Sequence, residues 1–144
     1  MKNIAIVYWS GTGNTEAMAQ TARDAVEAAG ATPTVFDASS FDASKLDSFD
    51  AVMFGCPAMG DEELEPDEFE PMFAGCEGSL DGRTVALFGS YEWNDGAWMD
   101  TWRERTAQDG ARIIGTVVAY GYPDDAANAE LRGLAADVVA ATQA

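Results

Sequence analysis

Apolar residues recur along this chain in two rhythms. Short runs rich in Ile, Val, Phe and Tyr occupy residues 4–8, 34–36, 51–55, 84–89 and 112–119, and these read as strands. Between them, apolar positions recur at helical spacing over residues 15–29, 67–75, 96–109 and 124–142, with Gly30 and Gly110 as C-terminal stops for the first and third. A short helical turn around residues 43–46 fills the second connection. Strands alternating with helices of this length predict a parallel sheet with helices on both faces and right-handed crossovers. The predicted class is therefore α/β, a doubly wound sheet of five parallel strands in the order 2-1-3-4-5. With no internal repeat and no linker, residues 1–144 form a single domain. Such sheets bind ligands beyond the carboxyl ends of their strands, at the switch point between strands 1 and 3.

The first strand enters its helix through Trp9, Ser10, Gly11, Thr12, Gly13, Asn14 and Thr15. A strand feeding a helix through such a turn aims backbone N–H groups and a helix N-terminus at one spot, where a phosphate can sit. Ser10, Thr12 and Thr15 add hydroxyl donors, and Asn14 is predicted to cap the helix while its amide donates to the ligand. No cation belongs to this cradle. The Lys-Ser/Thr pair of a P-loop is missing, since Asn14, Thr15 and Glu16 follow Gly13, and there is no grip for a triphosphate and its magnesium. The dinucleotide fingerprint fails as well, because Glu16 stands where a third glycine would let the helix pack closely. What remains is a site for one terminal phosphomonoester.

Charge narrows the partners. Twenty-five acidic residues against 8 basic ones leave a net charge of −17, which repels nucleic acid and anionic membranes and attracts basic proteins. No stretch is apolar for the ~20 residues a membrane span requires, and residues 1–20 carry no secretory signal pattern, so a cytoplasmic location is expected. The chain has no histidine, which removes imidazole catalysis and the commonest transition-metal ligand. Cys56 and Cys76 make no C-x-x-C pair and read as reduced, buried thiols.

Two further loops leave the same edge of the predicted sheet. After strand 3 come Gly55, Cys56, Pro57, Ala58, Met59, Gly60, Asp61, Glu62 and Glu63; after strand 4 come Gly89, Ser90, Tyr91, Glu92, Trp93, Asn94, Asp95 and Gly96. Gly60 can let a peptide turn over at little steric cost. Trp93 falls in a polar turn where something must stack on it if it is not to stand exposed. Trp98 and Trp102, at i and i+4, read as packing residues, with Trp9 beside the phosphate turn and Asp61 and Glu63 as surface charge.

Taken together, Tyr8 to Glu16, the loop from Gly55 through Met59 and Gly60 to Glu62, and the stretch from Phe88 through Trp93 to Met99 identify a family. The chain resembles the short-chain flavodoxins from end to end, including a fifth strand that runs uninterrupted into Tyr120. The resemblance implies one non-covalent FMN and a low-potential one-electron carrier, working between semiquinone and hydroquinone for separate reductases and other oxidoreductases. It implies further that Ser10, Gly11, Thr12, Gly13, Asn14 and Thr15 hold the phosphate, that Met59 lies on the inner side of the ring, and that Trp93 stacks outside. The Gly60 carbonyl would turn to accept the N5–H formed on reduction, and Glu62 would accept the N3–H. Backbone groups of Ser90 and Tyr91 would meet the pyrimidine end, with Ala58, Asp61, Glu92 and Asn94 completing the two ring loops. Glu92 and Asn94 depart from the family's pattern, in which glycines commonly flank the stacking tryptophan, so a reshaped or stiffer loop is expected here.

Partners are expected to be redox proteins with basic docking patches, met by the acidic rim of residues 61–65 and Asp95, and the chain to be a monomer with no metal, nucleic acid or membrane bound. Other classes fit these residues less well, among them an interaction module of the same fold that holds no cofactor, which copurified yellow colour would exclude. A phosphoacceptor receiver shares the architecture but needs paired acids after strand 1 and a Lys ending strand 5, where this chain has Trp9-Ser10 and Ala119-Tyr120. A flavin enzyme, such as a quinone reductase or a ribonucleotide-reductase activator, would be reduced directly by nicotinamide, yet the chain lacks room for a nicotinamide-binding domain.

Overall fold

The computed structural model describes residues 2–59, 63–92 and 96–143. Its chain order is β1 (Asn3–Tyr8), α1 (Asn14–Ala28), β2 (Thr32–Asp37), two 3₁₀ turns (Ala38–Ser40 and Ala43–Ser48), β3 (Ala51–Gly55), α2 (Phe69–Glu77), β4 (Thr84–Tyr91), α3 (Ala97–Gln108), β5 (Arg112–Tyr120) and α4 (Asp125–Thr142). All pairings in the sheet are parallel and its order is β2-β1-β3-β4-β5, as the alternating pattern predicts.

Side-chain parity sorts the central strands onto two cores. Ile4 and Ile6 of β1 join Met53, Ala86 and Phe88 under α1 and α4, which contribute Met18, Ala22 and Val26, and Leu131, Leu134 and Val138. Ala5 and Val7 point the other way, joining Phe54, Val85 and Leu87 under α2 and α3. The second core is aromatic. Phe54 meets Phe73 edge-on at 5.1 Å, and Trp102 meets Phe69 at 5.5 Å, so Trp98 and Trp102, each 2% exposed, are packing residues as expected. Cys56 and Cys76 are free and buried. Burial pushes both thiols up, Cys76 to about 11, which makes them poor nucleophiles at neutral pH.

An ion cluster fastens α2 to α3. The Arg105 guanidinium donates to both Glu70 carboxylate oxygens (2.8 and 2.7 Å) and to both of Glu77 (3.0 and 2.5 Å), and lies 5.1 Å from the centre of the Phe73 ring. Glu77 is held low: desolvation acts to raise it, but the Arg105 hydrogen bonds prevail. Asp109 sits beside Glu77, and loss of solvation, then the Glu77 carboxylate, push its carboxyl up to about 6. A folded-state value above the unfolded one means that the native state binds more protons between about pH 4 and pH 6. Stability from this group therefore falls as pH rises through that window. Asp109→Asn should raise Tm by about 2–4 °C near pH 8, from roughly 1 kcal/mol after solvent screening. The gain should vanish near about pH 4; thermal melts at both pH values check it, and an equal gain at both would count against the raised Asp109 carboxyl.

Candidate functional site

The connections after β1, β3 and β4 meet at the carboxyl end of the sheet. Because β1 lies between β2 and β3, the chain leaves β1 toward one side and returns on the other, and the crevice opens at that divergence. A cleft of about 250 Å³ lies there. Gly11, Thr12, Ala58, Met59, Ser90, Tyr91 and Glu92 line it, all of them predicted site residues, and Trp9 and Pro57 join them.

The first wall is the turn into α1. Trp9 N–H donates to Gly55 O (3.0 Å), continuing the β1–β3 ladder one residue past the strand. Gly13 then takes φ +96° and stands as the N-cap, its carbonyl accepting the first helical bond from Ala17 N–H at 3.0 Å. A side chain is strained at that φ, so the glycine is fixed by backbone conformation. Ser10 Oγ accepts from Gly13 N–H at 3.1 Å and rounds the turn. The N–H groups of the first helical turn have no intrahelical acceptor and point out of the helix start, where an anion is favoured.

One expected role changes. Asn14 does not cap the helix: it is the first helical residue, Gly13 takes the cap, and no side-chain cap bond forms. The Asn14 amide instead donates to Glu92 Oε1 at 2.9 Å, bridging the first loop to the third. Thr15 is buried at 1% exposure, and its hydroxyl pairs with Ser90 Oγ at 3.1 Å. Ser90 and Tyr91 are likewise strand and not loop, because β5 continues to Tyr120 and pairs Ala119 with Ser90 and Tyr120 with Tyr91. A run ending at a glycine looked complete, and only the length of the partner strand could have extended it.

The second wall follows β3. Cys56 N–H donates to Phe88 O (3.1 Å) and Ala58 N–H to Ser90 O (2.9 Å), so the β3–β4 ladder outlasts β3 itself. Met59 and Glu63 then exchange both backbone hydrogen bonds, at 2.8 and 2.9 Å. Gly60, Asp61 and Glu62, like Trp93 and Asn94, lie outside the described residues.

Glu65, expected in the acidic docking rim of residues 61–65, does not belong to that surface, because its carboxylate turns inward onto the start of α2. It is 4% exposed, and its carboxylate accepts the N–H groups of Asp67 (2.9 Å), Glu68 (2.7 Å) and Phe69 (2.8 Å) at the start of α2. Its own N–H donates to Cys56 Sγ at 3.3 Å, tying α2 back to the end of β3. Trp9 is held similarly: its indole lies over Gly11, where a Cβ would come 2.9 Å from the ring, and its Nε1–H donates to Glu68 Oε1 at 3.2 Å.

The donor set suits FMN. A cradle of backbone N–H groups and hydroxyls, with no Lys or Arg in it, accepts one phosphomonoester, and the adjoining cleft offers Met59, Trp9 and Tyr91 to an aromatic ring. Among the described residues no cluster of potential ligands could hold a metal ion, and no helix is long and apolar enough to cross a membrane.

Known proteins match this pattern along nearly the whole chain. The family model for flavodoxin matches residues 6–135. A flavodoxin of Megasphaera elsdenii is 47% identical over 133 residues, 92% of this chain and 97% of the relative. One of Clostridium beijerinckii is 41% identical over 122 residues, covering 84% of this chain and 88% of the relative. The solution structure of two-electron reduced M. elsdenii flavodoxin superposes with a TM-score of 0.86 at 46% identity, covering 93% of this chain and 98% of that one.

Proposed function

The chain belongs to the flavodoxin family, in its short-chain form, as an FMN-binding electron carrier for redox partner proteins, and from that premise we propose how its own residues serve the carrier. The phosphate is held by the turn of Ser10, Gly11, Thr12, Gly13, Asn14 and Thr15. The ring lies between residues 58–62 and residues 90–94, against Ala58, Met59, Gly60, Asp61 and Glu62 on one side and Ser90, Tyr91, Glu92, Trp93 and Asn94 on the other. One observation carries this reading: three loops from three parallel strands line a single cleft beside a cation-free helix N-terminus.

Bound FMN supplies one-electron oxidation and reduction. The chain's part is to hold, shield and bias. The Thr15–Ser90 hydroxyl pair and the Asn14–Glu92 bond join the phosphate turn to the end of β4, so binding at one wall orders the other. Met59 and Tyr91 keep water from the cleft walls, where a drier site strengthens the effect of every nearby charge. The carboxylates that give −17 disfavour added negative charge in the cleft and make the loaded carrier a strong, low-potential donor. The same charge draws partners with basic patches to the cleft rim and keeps copies of the chain apart as monomers. The chain acts as a single domain, in the cytoplasm. An enzyme reading has no comparable support, since the family consists of electron carriers that depend on separate reductases.

Flavin binding tests the site assignment. Apoprotein titrated with FMN and then with riboflavin should bind FMN at least ~100-fold more tightly, the worth of roughly one to two good hydrogen bonds to a charged group. Equal affinities would remove the turn from the site.

A further inference from the structure

Beside the cleft, at the end of the edge strand, the chain exposes large apolar side chains in one place. In β5 alternation turns Val117 and Ala119 inward at 7% and 4% exposure, and leaves Val118 and Tyr120 outward at 37% and 69%. Gly121, at φ +65°, turns the chain, and Tyr122 follows at 70% exposure. Among the described residues these three are the exposed large hydrophobic side chains. A single exposed tyrosine is unremarkable, but three such residues within five positions make a patch.

The patch is continuous with the cleft. Tyr91, which lines the cleft, meets the Tyr120 ring edge-on at 5.4 Å and an interplanar angle of 82°, and its carbonyl accepts the Gly121 N–H at 2.7 Å. Exposed carboxylates border it: Glu92 at the cleft mouth, and Asp124 and Asp125 just after Tyr122. No Lys or Arg occurs from residue 113 to residue 131. Aromatic faces set among carboxylates recognise Arg and Lys side chains, which can pair with the acid and lie over the ring at once. A second copy of the chain is a poor occupant, because each copy carries −17.

We propose that Tyr120 and Tyr122, with Val118 beside them on the outward face of β5, form the apolar centre of a docking surface for a basic redox protein. The surrounding acids steer that partner by long-range attraction, and the tyrosines hold it with its cofactor edge facing the cleft. The proposal rests on the reading of the chain as a carrier with basic partners.

Its test is stopped-flow reduction of ferric cytochrome c, a basic haem protein, by the FMN-loaded chain after anaerobic reduction with dithionite. Each transfer moves one electron to ferric haem, giving ferrous haem, and no atom is exchanged. Tyr122→Ala should slow the second-order rate about 5-fold and the double variant with Tyr120→Ala about 10-fold or more, in the range of interface anchors. Tyr122→Phe should stay within about 2-fold, because the ring face is kept. FMN affinity, potential and the steepness of the salt dependence should be those of the parent in Tyr122→Ala, since a structural role would move the first two and loss of steering the third. Rates unchanged in both alanine variants would overturn the proposal, as would a fall accompanied by weakened FMN binding in Tyr122→Ala. A dimer seen by sedimentation and dissolved by Tyr122→Ala would assign the patch to a second copy and overturn it too. A parent chain that takes up no FMN would refute the carrier reading itself, an outcome visible before any rate is measured.

Discussion

Gly89→Ala should lower Tm by about 10 °C and weaken FMN binding at least ~10-fold, because an added methyl there has nowhere to go. A Cβ on Gly89 would lie inside contact distance of the Cys56 carbonyl oxygen and 3.0 Å from Trp98 Cζ2. The first neighbour is backbone and the second is a fully packed ring, so neither yields cheaply. Relief must come from parting the extended ladder in which Cys56 N–H donates to Phe88 O and Ala58 N–H to Ser90 O. Those residues lead straight into two walls of the cleft, which is why a packing fault becomes a binding fault. Overpacking of this kind costs about 3 kcal/mol, and for a domain of this size each kcal/mol is roughly 3 °C. The control is Gly133→Ala, inside α4, where a Cβ meets nothing within 4 Å; helix propensity should there raise Tm by about 2–3 °C. Thermal melts of the two apoproteins and FMN titrations decide the matter. Parental affinity in Gly89→Ala would mean that the ladder and the cleft are uncoupled.

Glu65→Ala should cost a similar amount by a different route. Its carboxylate accepts three backbone N–H groups at the start of α2, and removing it leaves donors that are partly or fully buried without an acceptor, at about 1 kcal/mol or more each. The helix start also loses its negative charge, worth roughly 0.5 kcal/mol. A loss near 3 kcal/mol, or about 10 °C, is expected. Glu65→Gln separates the two contributions. One amide oxygen can still serve Glu68 and Phe69, but the –NH₂ faces the Asp67 N–H, so the loss should be intermediate. Melts in which Glu65→Gln matches Glu65→Ala would sink the account of three accepted bonds, and a fully stable Glu65→Ala would sink the cap.

How far such features can be read from sequence depends on whether their cause is local. The apolar run of residues 4–8 and the glycines stopping α1 and α3 are local, and so is the strand–turn–helix from Tyr8 to Thr15; all three are legible, whereas the facing of Ile4, Ala5, Ile6 and Val7 is not, because all four are apolar. Asn14 misled because its capping propensity was overruled by Gly13, whose left-handed backbone occupies the cap position. Ser90 and Tyr91 were hidden because their strand character comes from pairing with β5, thirty residues onward. Glu65 was hidden because an acidic run does not reveal which member turns inward; the three N–H groups at the start of α2 decide that. The Tyr120–Tyr91 contact likewise exists only once two strands are side by side.

The cation-free turn before α1 has an outcome for traffic among partners. A lysine in that cradle would cancel most of a phosphate's charge on binding, whereas here backbone dipoles hold the anion and leave its charge in place. Loading thus adds roughly 1.5 to 2 negative charges at the cleft to a chain that already carries −17. Empty and loaded protein then differ in field at the very mouth where a basic partner arrives. In a crowded mixture the empty chain is the weaker competitor, and collisions are biased toward copies that can carry an electron.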